Sequence, residues 1–237
     1  MLQEQTVNAY IAILHEELLL ATGCTEPIAL AYCAAKVRQV LGAVPEGLKI
    51  EVSGNIMKNV KSVIVPNTGG RKGIKAAVAA GIVAGDADKL LQVIASVPEA
   101  LHEAIAAYEV GTPMEITCPE TAHLLDIRIT GWAGADSAVV RIANNHSNIV
   151  HLERNGEILL EKGDSDSPED SLTDKSSLNV ADILEFADTV DVSRVSELLD
   201  RQIDYNSAIA REGLNGSWGA NIGSVLLASY PGDIKVE

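Results

Sequence analysis

The sequence predicts an α+β fold in which alanine-rich helices flank an inserted antiparallel sheet. Apolar residues recur at helical spacing up to about residue 112, short alternating runs follow between 113 and 163, and helical spacing returns after 179. Helices on either side of a contiguous block of strands are typical of this class. The chain has 237 residues, of which 47% are hydrophobic and 22% charged, so it is long enough to bury an ample core.

These patterns divide the chain into four predicted regions. Residues 1–112 form a helical region with short strands, and residues 113–163 form the antiparallel region. Residues 164–178 are a polar linker, because their Asp, Ser, Glu and Thr side chains are too polar to pack. Residues 179–237 form a C-terminal helical region that packs back on the first.

The first region opens with two predicted helices. Residues 4–20 place Val7 and Ile11 on one face of an amphipathic helix. A second, more apolar helix covers about 26–41, and Gly42 stops it. The chain therefore begins with a surface helix followed by a helix suited to the core.

Strands are predicted where apolar and polar residues alternate. Residues 48–52 and 61–65 fit this pattern and are joined by a polar connection at 53–59, and Asn155-Gly156 is a strong hairpin signal. Further strands are predicted at 114–117, 124–130, 138–143, 149–153 and 158–161, and further helices at 86–95, 98–109, 179–189 and 192–211, the last closed by Gly213.

The composition argues against nucleic-acid and membrane partners. The formal charge is -15 and aromatic residues are only 3%, so a phosphate backbone is repelled and finds few rings to stack on. The most apolar run, at 76–85, is too short to span a bilayer. The three cysteines lack the spacing of a disulfide framework, and the polar start lacks the pattern of a signal peptide. We therefore expect a cytoplasmic protein with reduced thiols.

The stretch Gly23-Cys24-Thr25-Glu26-Pro27 is the main candidate site. Thr25 is suited to the N-cap of the second helix and Pro27 to its first turn. Backbone N–H groups at a helix start favour a thiolate, so Cys24 is a candidate base, nucleophile or iron ligand. The alternative interpretation is a small buried hydrophobe that precedes a helix.

Other candidate residues give weaker signals. The glycine-rich loop at 66–73 is either an ordinary turn with two solvated cations or a site for a small carboxylate. His146 and His151 would point to opposite faces of one strand, so they make a poor metal pair. No metal site is predicted, and the sequence lacks the motifs of zinc hydrolases, thioredoxin-like proteins and α/β-hydrolases.

Five motifs together resemble the L-cysteine desulfidase family, a long-uncharacterised group related to the serine dehydratase alpha chain. They occur in the family's order and cover nearly the whole chain. The motifs are Gly23-Cys24-Thr25-Glu26-Pro27, Asn55-Ile56-Met57-Lys58-Asn59, Val65-Pro66-Asn67-Thr68-Gly69, His146-Ser147-Asn148-Ile149-Val150-His151 and Glu212-Gly213-Leu214-Asn215-Gly216-Ser217-Trp218-Gly219.

The resemblance implies a cytosolic lyase that converts L-cysteine to pyruvate, ammonia and sulfide without pyridoxal phosphate. Members use a [4Fe–4S] cluster with an open iron, whose cysteine ligands lie in a C-terminal half that this chain does not contain. The resemblance therefore implies an N-terminal half that is inactive alone. Its expected partners are that C-terminal half, a small amino acid and, as a further option, a second copy of the chain.

Site residues follow from the same resemblance. Cys24 corresponds to the family's proton acceptor, and we assign Asn55, Lys58, Asn59, Thr68 and Gly69 to holding the substrate carboxylate. His146 and His151 are additional pocket residues. Two other functions stay open: a non-catalytic small-molecule binding or assembly domain with the same fold, and a dehydratase that acts on L-serine or another β-substituted amino acid.

Overall fold

The computed structural model has an α+β architecture divided into two compact units. The larger unit contains residues 20–172, and the smaller unit combines residues 1–19 with residues 173–237. Most of the predicted linker and Trp218 fall outside the described residues. The structure describes residues 2–20, 23–162, 173–217 and 219–230.

Helices and strands alternate in the first half of the chain, and strands dominate between residues 114 and 161. The helices are α1 (Glu4–Glu17), α2 (Thr25–Leu41), α3 (Gly54–Val60), α4 (Gly73–Ala84), α5 (His102–Gly111), α6 (Val180–Thr189), α7 (Ser196–Asn215) and α8 (Ile222–Ser229). The strands are β1 (Gly47–Val52), β2 (Met114–Thr117), β3 (Asp126–Ala133), β4 (Asp136–Ala143), β5 (Ile149–Arg154) and β6 (Glu157–Glu161).

The larger unit is built on one mixed sheet. Its strand order is β2-β1-β3-β4-β5-β6, with β1 and β2 parallel and the other neighbours antiparallel. The region predicted to be antiparallel, 113–163, is antiparallel from β3 to β6, whereas its first strand, β2, pairs with β1 in parallel. In addition, β1 from the first region lies between β2 and β3, because its apolar residues Leu48, Ile50 and Val52 all face the core.

Helix α2 is the centre of this unit. It packs on strands β3, β4 and β5 on one side and on α4 on the other, and α5 packs against α4. Residues 27–35 are buried throughout, which explains why this helix is apolar on all sides. Gly42 ends it in the left-handed conformation with φ of 77°, as the sequence predicts.

The smaller unit has its own apolar cluster. Tyr10 and Ile13 of α1 pack with Phe186 of α6 and with Val195. The rings of Tyr10 and Phe186 meet edge to face with their centroids 5.4 Å apart, and the Tyr10 hydroxyl donates to the carbonyl of Ser177 at 3.1 Å. Helices α1 and α6 are thereby packed together.

Residues 53–65 differ from the prediction. The polar connection at 53–59 is helix α3, whose N-cap Ser53 accepts a hydrogen bond from the backbone N–H of Ile56 at 3.4 Å. The predicted strand at 61–65 is reduced to one bridge between Ile64 and Lys72. A serine N-cap and helical backbone here outweigh the alternation on which the strand was predicted.

Two helix predictions also differ from the structure. The helix predicted at 86–95 is a short 3-10 helix, Ala87–Gln92, in which Leu90 has φ of 48°. Gly213 does not end α7, which continues to Asn215. A glycine stops a helix where it takes a left-handed conformation, and Gly213 does not take one.

Among the described residues, no helix combines the length and the apolar character that crossing a membrane requires.

Candidate functional site

Cys24 lies at the exposed start of α2. It occupies the N-cap position itself, with φ of -63° and ψ of 125°, so the predicted N-cap Thr25 is the first helical residue. Pro27 lies in the first turn, as predicted. The Cys24 side chain is exposed, in contrast to the fully buried Cys33. The interpretation of Cys24 as a buried hydrophobe is therefore wrong.

The Cys24 thiol is hydrogen-bonded to a carboxylate two residues along the chain. Its Sγ donates to Oε2 of Glu26 at 3.1 Å, and the Thr25 hydroxyl approaches the same oxygen at 3.4 Å. The other oxygen, Oε1, accepts from Nδ2 of Asn59 at 3.1 Å. The first motif, on α2, and the second motif, on α3, therefore meet at the Glu26 carboxylate.

This arrangement corrects the expectation of a thiolate. Partial burial raises the pKa of the Cys24 thiol, and the Glu26 carboxylate raises it further by accepting the S–H hydrogen bond and by its negative charge. The same hydrogen bond, together with that from Asn59, holds the pKa of Glu26 below its ordinary value. At neutral pH the pair is therefore a neutral thiol beside a carboxylate, despite the helix N-terminus.

Glu26 lines a cleft of about 360 Å³ together with Asn55, His123, Asn144 and His146. His146 comes from the turn before β5 and Asn55 from the first turn of α3. Burial lowers the pKa of His146, although the negative charge of Glu26 opposes this shift. The cleft is therefore lined by one carboxylate, two amides and two imidazoles.

This cleft continues into a second one on the same side of α3. The second cleft, of about 490 Å³, shares Asn55 and His123 with the first and is also lined by Cys118 and Glu120. A third cleft of about 190 Å³ follows, beside the Arg141 and Asp126 ion pair. Cys118 lines the second cleft, whereas Cys24 is connected to the first cleft through its hydrogen bond to Glu26.

The predicted turn at Thr68 and Gly69 lies outside this groove. The Thr68 hydroxyl donates to the carbonyl of Val65 at 2.8 Å and is buried, so it stabilises its own loop. Gly69 lies against the His102 ring. The loop does contact the Cys24 motif, because a Cβ placed on Gly23 would lie 3.1 Å from Pro66. Pro66 of this loop therefore lies beside the segment before α2, and Thr68 and Gly69 do not line the cleft.

Lys58 and His151 also lie apart from the cleft lining. Lys58 is exposed on α3. His151 lies within β5, where Nδ1 pairs with Glu161 and Nε2 lies 3.3 Å from Glu153. Of the two histidines in the fourth motif, the structure brings only His146 to the cleft.

The described residues do not fit an iron–sulfur cluster. Nowhere among these residues do three or more His, Cys, Asp or Glu side chains form a group that could hold a metal ion. The Cys33 thiol is buried in α2 and directed at the carbonyl of Val140, and the Cys24 thiol is hydrogen-bonded to Glu26. A cluster ligand set would therefore have to come from other residues.

Three cleft residues were not predicted from the sequence. Glu26 lies inside the first motif, and its position two residues after Cys24 at a helix start is a signal that could have identified it. His123 and Asn144 lie in the loops before β3 and after β4. No local pattern marks them, because the sheet brings those loops to α3.

Comparisons with known proteins give relatives but no activity. The chain is 53% identical over 235 residues to a UPF0597 protein of Desulfitobacterium hafniense, covering 99% of this chain and 55% of that protein. It is 46% identical over 219 residues to a UPF0597 protein of Treponema denticola, covering 92% of this chain and 51% of the relative. No family model and no solved structure matches. The chain thus resembles UPF0597 proteins and spans about half the length of these relatives.

Proposed function

We propose that this chain is the base-carrying part of a carbon–sulfur lyase that eliminates sulfide from L-cysteine, with pyruvate and ammonia as the other products. The observation that supports the proposal best is the exposed Cys24 thiol at the start of α2, bonded to a carboxylate that lines a cleft. The cleft also presents Asn55 and His146 from two further motifs of the resemblance.

The chemistry requires a base at the substrate. The Cα proton of an amino acid is a weak acid, so its removal needs a proton acceptor and stabilisation of the charge that develops. In the proposal, Cys24 accepts this proton as a thiolate. Asn55 donates to the substrate carboxylate, while Asn59 fixes Glu26 through its hydrogen bond at 3.1 Å.

The complete reaction needs more than this chain. The relatives are about twice as long, and the resemblance implies a [4Fe–4S] cluster that the described residues do not fit. The proposal therefore assigns to this chain the handling of the Cα proton and the positioning of the substrate, and it expects no turnover by the chain alone.

The test combines this chain with the remaining half of the Desulfitobacterium hafniense relative. After anaerobic iron–sulfur reconstitution, we expect sulfide release from L-cysteine. Cys24→Ser should lower the rate by roughly 10²–10⁴-fold, the usual contribution of a positioned base. The matched control is Cys118→Ser, which removes the other exposed thiol and should keep the rate. Full activity in Cys24→Ser would refute the assignment of the base.

A non-catalytic binding domain is the second candidate function, favoured by the raised pKa of Cys24, which keeps the thiol protonated at neutral pH and leaves little thiolate to accept a proton. Calorimetry with L-cysteine and L-serine would detect binding. Binding without sulfide or ammonia release in the reconstituted pair would favour this alternative, and faster ammonia release from L-serine than from L-cysteine would favour a dehydratase.

A further inference from the structure

Glu26 carries a negative charge that the described residues leave without a permanent cationic partner. Its two oxygens accept from Cys24, Thr25 and Asn59, which are all neutral donors. No lysine or arginine among the described residues forms an ion pair with it. An anionic group at the wall of a cleft, held in place by neutral donors, is suited to a cation in the ligand.

We propose that Glu26 binds the α-ammonium group of the amino acid, and that this binding allows Cys24 to ionise. The proposal builds on the proposed function, because it concerns the same cleft, and it adds Glu26 as the residue that selects α-amino acids. Asn55 and Asn144 offer amide groups in the same cleft for the other polar groups of such a ligand.

The coupling follows from the geometry. With Glu26 uncompensated, a thiolate at Cys24 would lie 3.1 Å from a carboxylate oxygen, and like charges at this distance repel. An ammonium group on Glu26 neutralises that charge. The S–H bond of Cys24 then breaks, its proton passes to a water molecule, and the sulfur keeps the electron pair with which it later takes the Cα proton.

Two histidines, His123 and His146, also line this cleft. Burial lowers the pKa of His146, so at neutral pH its imidazole does not supply the missing positive charge. His123 is among the groups that affect the pKa of Asp126 and is not among those that affect the pKa of Glu26. Glu26 is therefore the group at this cleft that presents a fixed negative charge beside the thiol.

The experiment follows the ultraviolet absorbance of the Cys24 thiolate against pH in a Cys118→Ser background. Cys33 stays protonated because complete burial raises its pKa strongly. L-Alanine, which has an ammonium group but no β leaving group, should move the titration to lower pH. Propionate, which lacks the ammonium group, should not change the pH at which Cys24 ionises. No movement with saturating L-alanine would overturn the proposal.

Variants separate the ammonium site from general effects. Glu26→Gln should move the titration to lower pH without any ligand and should abolish the response to L-alanine. Glu120→Gln is the matched control, because this exposed carboxylate lines the neighbouring cleft and does not contact Cys24. An equal response to L-alanine in Glu26→Gln and in the parent would also overturn the proposal.

The titration of Cys24 tests the ammonium site separately from sulfide release. A response to L-alanine without sulfide release in the reconstituted pair would keep the ammonium site and reject the lyase. Sulfide release without this response would keep the lyase and reject the role of Glu26.

Discussion

Two effects oppose each other at Cys24. The N-terminus of α2 favours a thiolate at its N-cap, whereas burial and Glu26 favour the thiol. The effects of burial and of Glu26 prevail, because the carboxylate oxygen lies 3.1 Å from the sulfur. The reactivity of this cysteine therefore depends more on its nearest carboxylate than on the helix behind it.

The raised pKa of Cys24 predicts a specific pH dependence. Only the thiolate reacts with iodoacetamide, so alkylation of Cys24 should become fast only at a pH above the ordinary range for a cysteine. Peptide mass spectrometry after timed quenching measures this rate. In Glu26→Gln the profile should move to lower pH, while the profile of Cys118 in the same sample should not. Rapid alkylation of Cys24 at neutral pH would show that the helix N-terminus prevails.

At the scale of elements, the close contact between α2 and α4 determines the core of the larger unit. A Cβ placed on Gly81 would lie 2.1 Å from the carbonyl oxygen of Ala31, so the backbones can approach only because this position is glycine. Alanine-rich sequences allow such close approach. The position of α2, and hence of Cys24 at its start, depends on this contact.

Gly81→Ala should therefore destabilise the protein. Because the added methyl group must displace backbone, we expect a loss of about 1–3 kcal/mol in the free energy of unfolding, measured by chemical denaturation. Gly111→Ala is the matched control, because a Cβ there meets nothing within 4 Å. Equal stability of Gly81→Ala and the parent would show that α4 can shift freely.

The ion pair between β3 and β4 is the second element-scale feature. Arg141 donates to both oxygens of Asp126 at 2.9 and 2.8 Å, and the Thr121 hydroxyl adds a bond at 2.7 Å. Burial alone would raise the pKa of Asp126, but the hydrogen bonds from Arg141 and Thr121 outweigh it and hold this pKa below the ordinary value. The pair therefore stabilises the folded state when Asp126 is ionised.

Asp126→Asn should lower the free energy of unfolding at neutral pH by about 2 kcal/mol, since the arginine loses a charged acceptor. The folded state binds fewer protons than the unfolded state because its pKa is lower. The contribution is therefore present above the ordinary carboxyl pKa and is lost as the pH falls through the lowered one. Denaturation of the variant and the parent at several pH values should show that the difference between their free energies of unfolding becomes smaller in acid. Glu115→Gln, at an exposed carboxylate of β2, should show no such difference.

At the scale of the whole molecule, the smaller unit exposes many apolar side chains. Ile203, Tyr205 and Ile209 of α7 and Ile222 and Val225 of α8 are all exposed. Apolar surface of this extent is usually covered by another polypeptide. We therefore expect this surface to associate in solution.

Light scattering over a range of concentrations tests this expectation. The average mass should rise with concentration, because association removes apolar area from water. Ile209→Asp, at a residue that is 70% exposed, should return the mass towards that of a monomer. Val110→Asp, at an 82% exposed residue of α5, is the matched control and should not. A monomer at all concentrations would contradict the prediction.

Local sequence determined much of the fold. Helical spacing and Gly42 predicted α2 closely, and alternation predicted β1 and the strands from β2 to β6 within a few residues. These signals succeed because burial of one side of a strand, or of a whole helix, is already visible in consecutive residues. Residues 53–59 show the limit, because the Ser53 cap outweighed a polar composition that suggested a loop.

The site was decided by tertiary structure. The motif at Cys24 was visible in the sequence, but its pairing with Glu26, the contact of Glu26 with Asn59, and the selection of His146 over His151 depend on how α2, α3 and the sheet meet. A helix start by itself predicts a thiolate, and the folded chain places a carboxylate beside it. Charge–charge effects depend on distance in space, which sequence order alone does not supply.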